Sequence, residues 1–383
     1  MICSVGTALL TPTGLAMRRR KREIKMEGAT AMFEQGVIRP PSEASSLLVR
    51  VTRNCPWNRC LFCPAYKGTT FSKRSVEEVI QDIDAMAEAY QPHSSQITSA
   101  FLQDADNLLL PTEDLVAIIR HIKKRFPNIT NITTYARAKS LKRKSADEYK
   151  TLKEAGLTRI HTGLESGSAA VLQLMHKGST PEELIAAGQR VKESGVSLSE
   201  YIMPGLGGRQ LSAEHAVETA RVLNAIRPDH IRVRTFALHP QSPINKLVAE
   251  GQFVPMSDDE IVAEIRLLVE HLDEMHSHFH CGDFSLNLLM QVDGYLDTDK
   301  PAMLRELDAF LSLSKEQQRA YILLQRSNPA LQYSIDVVKD PKVMEQLLPE
   351  ITRLDARGDD GFNAYIQHLK SYQLPQPQTE NWQ

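Results

Sequence analysis

From residue 46 onward the chain alternates between two hydrophobic periods. Short runs rich in Val, Ile, Leu and aromatic residues predict strands over 46–53, 97–102, 129–135, 159–162, 198–203 and 230–237. Between them, apolar residues recur three and four positions apart, which predicts helices over 76–90, 112–126, 147–155, 168–175, 182–194, 213–225 and 258–275. Local signals mark their ends: Ser75 with Glu78 as a capping box, Pro127 and Gly156 as stops, and Thr180-Pro181 as a start. A strand followed each time by a helical crossover predicts a parallel sheet with helices packed on it. Six such units are too few for the closed eight-unit barrel. The expectation is α/β, an open partial (β/α)6 TIM-like barrel over 45–285, with an N-terminal leader at 1–44. A helical C-terminal extension is expected at 286–370, with helices over 284–292, 302–313 and 315–327. The polar, proline-bearing segment 371–383 is expected to be a disordered tail.

In barrels of this kind the chemistry sits in the loops after the strands. Those loops carry Cys55 after the first strand, Gln103 to Asn107 after the second, Arg137 after the third, Gly163 to Gly167 after the fourth, Pro204 to Gly208 after the fifth, and His239-Pro240 after the sixth.

Composition narrows the function classes. A net charge of −2 argues against a general nucleic-acid or membrane-surface protein. No apolar run approaches the roughly 20 residues that span a bilayer. The first 15 residues lack a preceding basic region, so no secretory signal is expected, and Met17 or Met26 could be the true start. The basic run Arg18 to Arg22 reads as a solvated part of the leader. Five cysteines are too few for a disulfide framework at this length, and a reducing cytoplasm is expected.

Three of the five, Cys55, Cys60 and Cys63, fall in one turn-rich loop with Pro56, Trp57, Asn58 and Arg59 between the first two. Three thiolates this close can hold three irons of a [4Fe–4S] cube and leave the fourth iron open. A single zinc with His93 or a more distant histidine as fourth ligand is the competing reading, which would make the chain a zinc-stabilised binding module. A second cluster, His276, His278 and His280 followed by Cys281, reads as an exposed or half-buried connector; the alternative is a metal site, since on a strand the period-two spacing would put the imidazoles on one face. Cys281 itself reads as a small buried hydrophobe and not as a cluster ligand.

The cysteine run resembles that of the radical S-adenosylmethionine (radical SAM) superfamily. Its usual spacing is C-x3-C-x2-C, whereas this chain has C-x4-C-x2-C with Phe62 before the third cysteine. The stretch His161 to Ser168, followed by Val171 to Gly178, resembles the fourth strand and next helix of the branch containing anaerobic coproporphyrinogen dehydrogenases and methylthiotransferases. The similarity runs over about 46–237.

The resemblance implies a [4Fe–4S] cluster on Cys55, Cys60 and Cys63, with S-adenosylmethionine (SAM) on its open iron. It implies that Glu165 binds SAM and that Lys177, where arginine is common, meets the SAM carboxylate. Asp104 stands where relatives carry a glycine-rich motif and is expected to meet the SAM amino group. Gly205, in the loop after strand five, and Phe62 are expected near adenine. An electron donor such as a flavodoxin or ferredoxin is implied. No second cysteine-ligated cube, cobalamin motif or acetyltransferase module accompanies these residues. The substrate is not legible; a tetrapyrrole-type oxidation follows only from the branch. A haem or iron–sulfur carrier on the same body, without turnover, is the alternative class.

Overall fold

The computed structural model describes residues 33–283, 286–358 and 360–371. Cys3, the basic run, both internal methionines near the start and nearly all of the expected tail lie outside the described residues. The strands are β1 (Leu47–Arg50), β2 (Thr52–Arg53), β3 (Ser72–Lys73), β4 (Ser99–Gln103), β5 (Asn131–Ala136), β6 (Leu157–Glu165), β7 (Ser197–Ile202), β8 (His230–Val233), β9 (His278–His280) and β10 (Asp293–Tyr295). Eight of them form one open sheet in the order β1-β4-β5-β6-β7-β8-β9-β10, which is also their order in the chain. All neighbours are parallel except the last pair. This is the expected partial barrel. Its six strand units are extended by β9 as a seventh parallel strand and by β10 as an antiparallel edge.

The two faces of the sheet differ in chemistry because successive side chains point to opposite sides. Ala100, Leu102, Ile132, Ile160, Leu198, Ile231, Val233 and Phe279 belong to the continuous apolar core. Helices complete that core: Thr112–Arg125, for example, buries Leu115, Ile118, Ile119 and Ile122. The other face follows from register. Tyr135, His161, Ser199, His230 and His278 form one row across five strands, and Gly163, Tyr201, Arg232 and His280 form the next.

Three expectations change. The run 46–53 is not one strand: β1 stays in the barrel, while β2 turns away to pair antiparallel with β3. Part of the expected leader is packed structure: Gly36 exchanges hydrogen bonds with the Gln103 side chain, and buried Glu43 pairs with His161 at 3.3 Å. The described residues of 284–292 form turns instead of a helix. There the Asn287 amide donates to the carbonyls of Val233 and Cys281 and accepts from Thr235, which satisfies the ends of β8 and β9.

The C-terminal extension comprises the helices Lys300–Leu311, Lys315–Ser327, Pro341–Asp355 and Gly361–Ser371. A buried charge cluster fastens it to the barrel. Asp258, at the start of the helix Asp258–His271, accepts from Arg326 at 2.7 Å and Lys370 at 2.8 Å. Burial alone would raise the Asp258 carboxyl; the two cations overcome it and hold it well below the usual range. No helix among the described residues is long and apolar enough to cross a membrane.

Candidate functional site

The cysteine loop leaves the end of β2 at Asn54, whose positive φ of 66° turns the chain. Its backbone is tied down on several sides. The Asn54 N–H donates to Asp104 at 3.0 Å, and its amide donates to the Thr70 carbonyl at 2.6 Å. The Leu61 N–H donates to Met175, the Leu61 carbonyl accepts from Ile244, and the Phe62 carbonyl accepts from the Ser242 hydroxyl. Lys67 donates to the Asn58 carbonyl at 2.7 Å. Segments from three parts of the barrel therefore hold one loop.

Trp57 completes the clamp. Its indole N–H donates to the His176 carbonyl at 2.7 Å, and the cations of Arg59, Arg137 and Lys139 lie 5.1 to 5.4 Å from its ring. Trp57 thus packs against the loop's surroundings. Gly178, at φ +76°, lies beneath it; a Cβ there would sit 2.4 Å from the indole. Gly178→Ala therefore combines positive-φ strain with a clash. It is expected to destabilise the fold by about 1–3 kcal/mol, read as a lower denaturation midpoint with an unchanged m-value.

Cys55, Cys60 and Cys63 are all free and half-buried on this loop. Burial raises the Cys60 thiol and pushes that of Cys63 up to about 11. Thiols in such a setting keep their protons until a metal displaces them. Among the described residues, the group of three side chains whose ligand atoms all lie within 4.8 Å of one another is His278, His280 and Asp293. The thiols are spread wider than the roughly 3.8 Å between sulfurs that tetrahedral zinc with ~2.3 Å bonds requires. A multi-iron cube accommodates wider spacing. His93, the expected zinc partner, lies in the turn before β4, at the opposite end of the strands from the cysteine loop, where it is exposed. Cys281 lies in the apolar core at 1% exposure, as expected of a small hydrophobe.

Beside the thiols lie the two charges singled out in the sequence. Lys177 donates to Glu165 at 3.0 Å, and its ammonium lies 5.8 Å from the Phe62 ring. Gly163 makes this approach possible: a Cβ there would lie 2.1 Å from the Glu165 carboxylate and 3.0 Å from the Lys177 nitrogen. Burial opposes the charge on Lys177, but Glu165 and Cys60 outweigh it and raise its pKa. Phe62 joins Met203, Leu206 and Phe236 in a small apolar cluster against the loop.

Two further residues expected at the SAM site have partners within the chain. Asp104 is fully buried beneath the cysteine loop, where it accepts from Arg50, the Asn54 N–H and the Tyr66 hydroxyl. These contacts position the loop. Gly205 turns its N–H to Glu264 at 2.7 Å and lies against Ile261, so it faces the helix layer. Its glycine is explained by a φ of +86°. Asp106 caps the turn at Ser140 and Arg137, and burial raises its carboxyl to about 6.

Sequence reasoning missed the network of Glu34 with Arg50, Arg53 and Arg74, and the Arg74–Asp82 pair behind it. The signal was present: Arg50 interrupts an apolar strand, and a charge in such a place requires a partner.

The fold and site define a class, an open parallel α/β barrel presenting three free thiols on the loop behind its first strand unit. Residues 49–222 match the model of the radical SAM superfamily. The cofactors of that family are a [4Fe–4S] cluster and SAM. The chain is 30% identical over 161 residues to an uncharacterized methyltransferase of Pyrococcus horikoshii, covering 41% of this chain and 32% of that one. It is 24% identical over 199 residues to the haem chaperone HemW of Bacillus subtilis, covering 51% and 50% respectively. Among solved structures it is similar to coproporphyrinogen III oxidase HemN of Escherichia coli, at 17% identity, 59% and 52% coverage, and a TM-score of 0.44. The HemW match agrees with the branch resemblance of 161–178. The chain spans about a third to a half of the length of these two curated relatives.

Proposed function

We propose that this protein is a radical SAM enzyme, with Cys55, Cys60 and Cys63 as the cluster ligands. The observation that carries the reading is the clamped loop of three free thiols inside the matched segment, beside a half-buried ion pair. When bound, the cluster and SAM supply one-electron cleavage of the sulfonium, which yields methionine and a 5′-deoxyadenosyl radical. The chain's own residues ligate, orient and exclude water. Lys177, kept cationic, offers its ammonium to the SAM carboxylate. Glu165 offers its carboxylate to the cationic or hydroxylated parts of the same ligand, and Phe62 with its apolar neighbours provides a dry wall.

The concave face supports a polar substrate bearing anionic oxygens. Arg159 and Arg232 project from that face, each donating to a serine hydroxyl, and neither meets a carboxylate within 4.0 Å among the described residues. His161 Nδ1 and the Tyr201 hydroxyl, both buried atoms, lack hydrogen-bond partners there. An electron donor of the flavodoxin or ferredoxin type and a reducing, cytoplasmic setting complete the proposal. The HemW match favours one second reading, a haem-carrying protein without turnover.

Glu165→Gln is expected to weaken SAM binding by about 10- to 100-fold, the worth of one charge-assisted hydrogen bond, with iron content unchanged. Equilibrium dialysis of labelled SAM against the reconstituted variant measures it. Unchanged affinity would remove Glu165 from the SAM site.

A further inference from the structure

The geometry points to a second metal site, independent of the cysteine loop. We propose that His278, His280 and Asp293 bind one divalent cation of the zinc class at the β9/β10 edge of the sheet.

His278 and His280 are two residues apart on β9, so both imidazoles leave the same face, while Phe279 between them is buried in the core. Register fixes which face. His278 lies beside His230 and His280 beside Arg232, on the side that carries Tyr135 and His161. Asp293 is the direct partner of His280 across the antiparallel pair. Its carboxylate lies 3.0 Å from His278 Nε2 and also contacts His280 Nδ1. The three ligand atoms fall within 4.8 Å of one another, so small movements bring all three onto one ion.

The surroundings fit the assignment. Gly282 lets the His280 ring lie against the backbone, since a Cβ there would be 2.5 Å from the imidazole. The neighbouring His230 ring stands edge-on to His278 at 6.1 Å, and its buried Nδ1 has no hydrogen-bond partner. His276, expected on the same face, instead pairs with Asp297 at 2.9 Å and stacks on Tyr295. It buttresses the edge without joining the ligands.

Two imidazoles and one carboxylate suit zinc or another borderline divalent ion. Three protein ligands leave at least one coordination position for water or a substrate oxygen, on the concave face. The ion would also staple β10, and with it the chain leading to the C-terminal helices, to the barrel.

The test uses full-length protein with Cys55, Cys60 and Cys63 changed to alanine, stripped with a chelator and titrated with Zn2+. This background removes the competing thiols, so the result stands whether or not the cluster assignment holds. One Zn2+ per chain is expected, with a higher thermal midpoint in its presence. Co2+ should give visible bands without a sulfur-to-cobalt charge-transfer band. His280→Ala in that background should weaken binding by on the order of 100-fold or more, since losing a ligand exceeds the effect of losing an outer partner. The near-isosteric Asp293→Asn should also weaken it and keeps the test open if the histidine variant unfolds. No Zn2+ uptake in the background protein, or equal uptake with both substitutions, overturns the proposal.

Discussion

Cys60→Ala is expected to take the anaerobically reconstituted protein from about four irons per chain to nearly none, with loss of its brown colour. The prediction is large because the described residues offer no spare cysteine at the site. The two remaining thiols lie on the same loop, and Cys281 sits in the apolar core. Burial raises the Cys60 and Cys63 thiols, so only the full cationic cluster draws their protons off. The loop itself should survive, because its restraints run through Asn54, Trp57, Leu61 and Phe62 and not through the thiols. A thermal midpoint within a few degrees of the parent's apo form checks that. Iron retained in Cys60→Ala would move the ligand assignment elsewhere.

Asp258→Asn carries the largest expected stability effect. It leaves Arg326 and Lys370 buried without a counter-charge, at an expected cost of about 3–5 kcal/mol. Urea unfolding measures this as a fall in the midpoint. A second change, Lys370→Met, should recover part of the loss by removing one stranded cation. The pH dependence has a definite sign. The folded-state carboxyl is held below its unfolded value, so its contribution is complete above the unfolded pKa near ~4. It is lost as pH falls through the lower, folded value. The parent's advantage over Asp258→Asn should therefore shrink on acidification below about pH 4 and be constant above it. A difference that is flat through that range would contradict the buried-pair account.

Elements whose signals are local were legible in the sequence. Ser75 with Glu78 and Thr180 with Glu183 form the capping boxes that open two helices, Gly156 ends a third, and the apolar runs from Leu47 to Val233 lie side by side in chain order. The cysteine loop and the Glu165–Lys177 pair also carry their information in one stretch of chain. What was not legible depends on distant partners. Whether Asp104 faces a ligand or the loop is decided by Arg50 and Tyr66, 54 and 38 residues away. Gly205 faces the helix layer because Glu264, 59 residues later, takes its N–H. The helical pattern over 284–292 lost to Asn287, whose amide is worth more satisfying the ends of two strands than continuing a helix. The strand considered for the histidine run is present as β9, but its partner β10 escaped notice because a three-residue strand is too short for a period to register.

The central claim is that the three-thiol loop holds a cluster with an iron open to SAM. The direct measurement is electron paramagnetic resonance of the reduced, reconstituted protein with and without SAM, with methionine and 5′-deoxyadenosine quantified in the same samples. The account predicts a [4Fe–4S] signal that changes on adding SAM, together with formation of both products, and neither in Cys60→Ala. A colourless protein with one zinc on its thiols, or a cluster signal indifferent to SAM with no products, would contradict it.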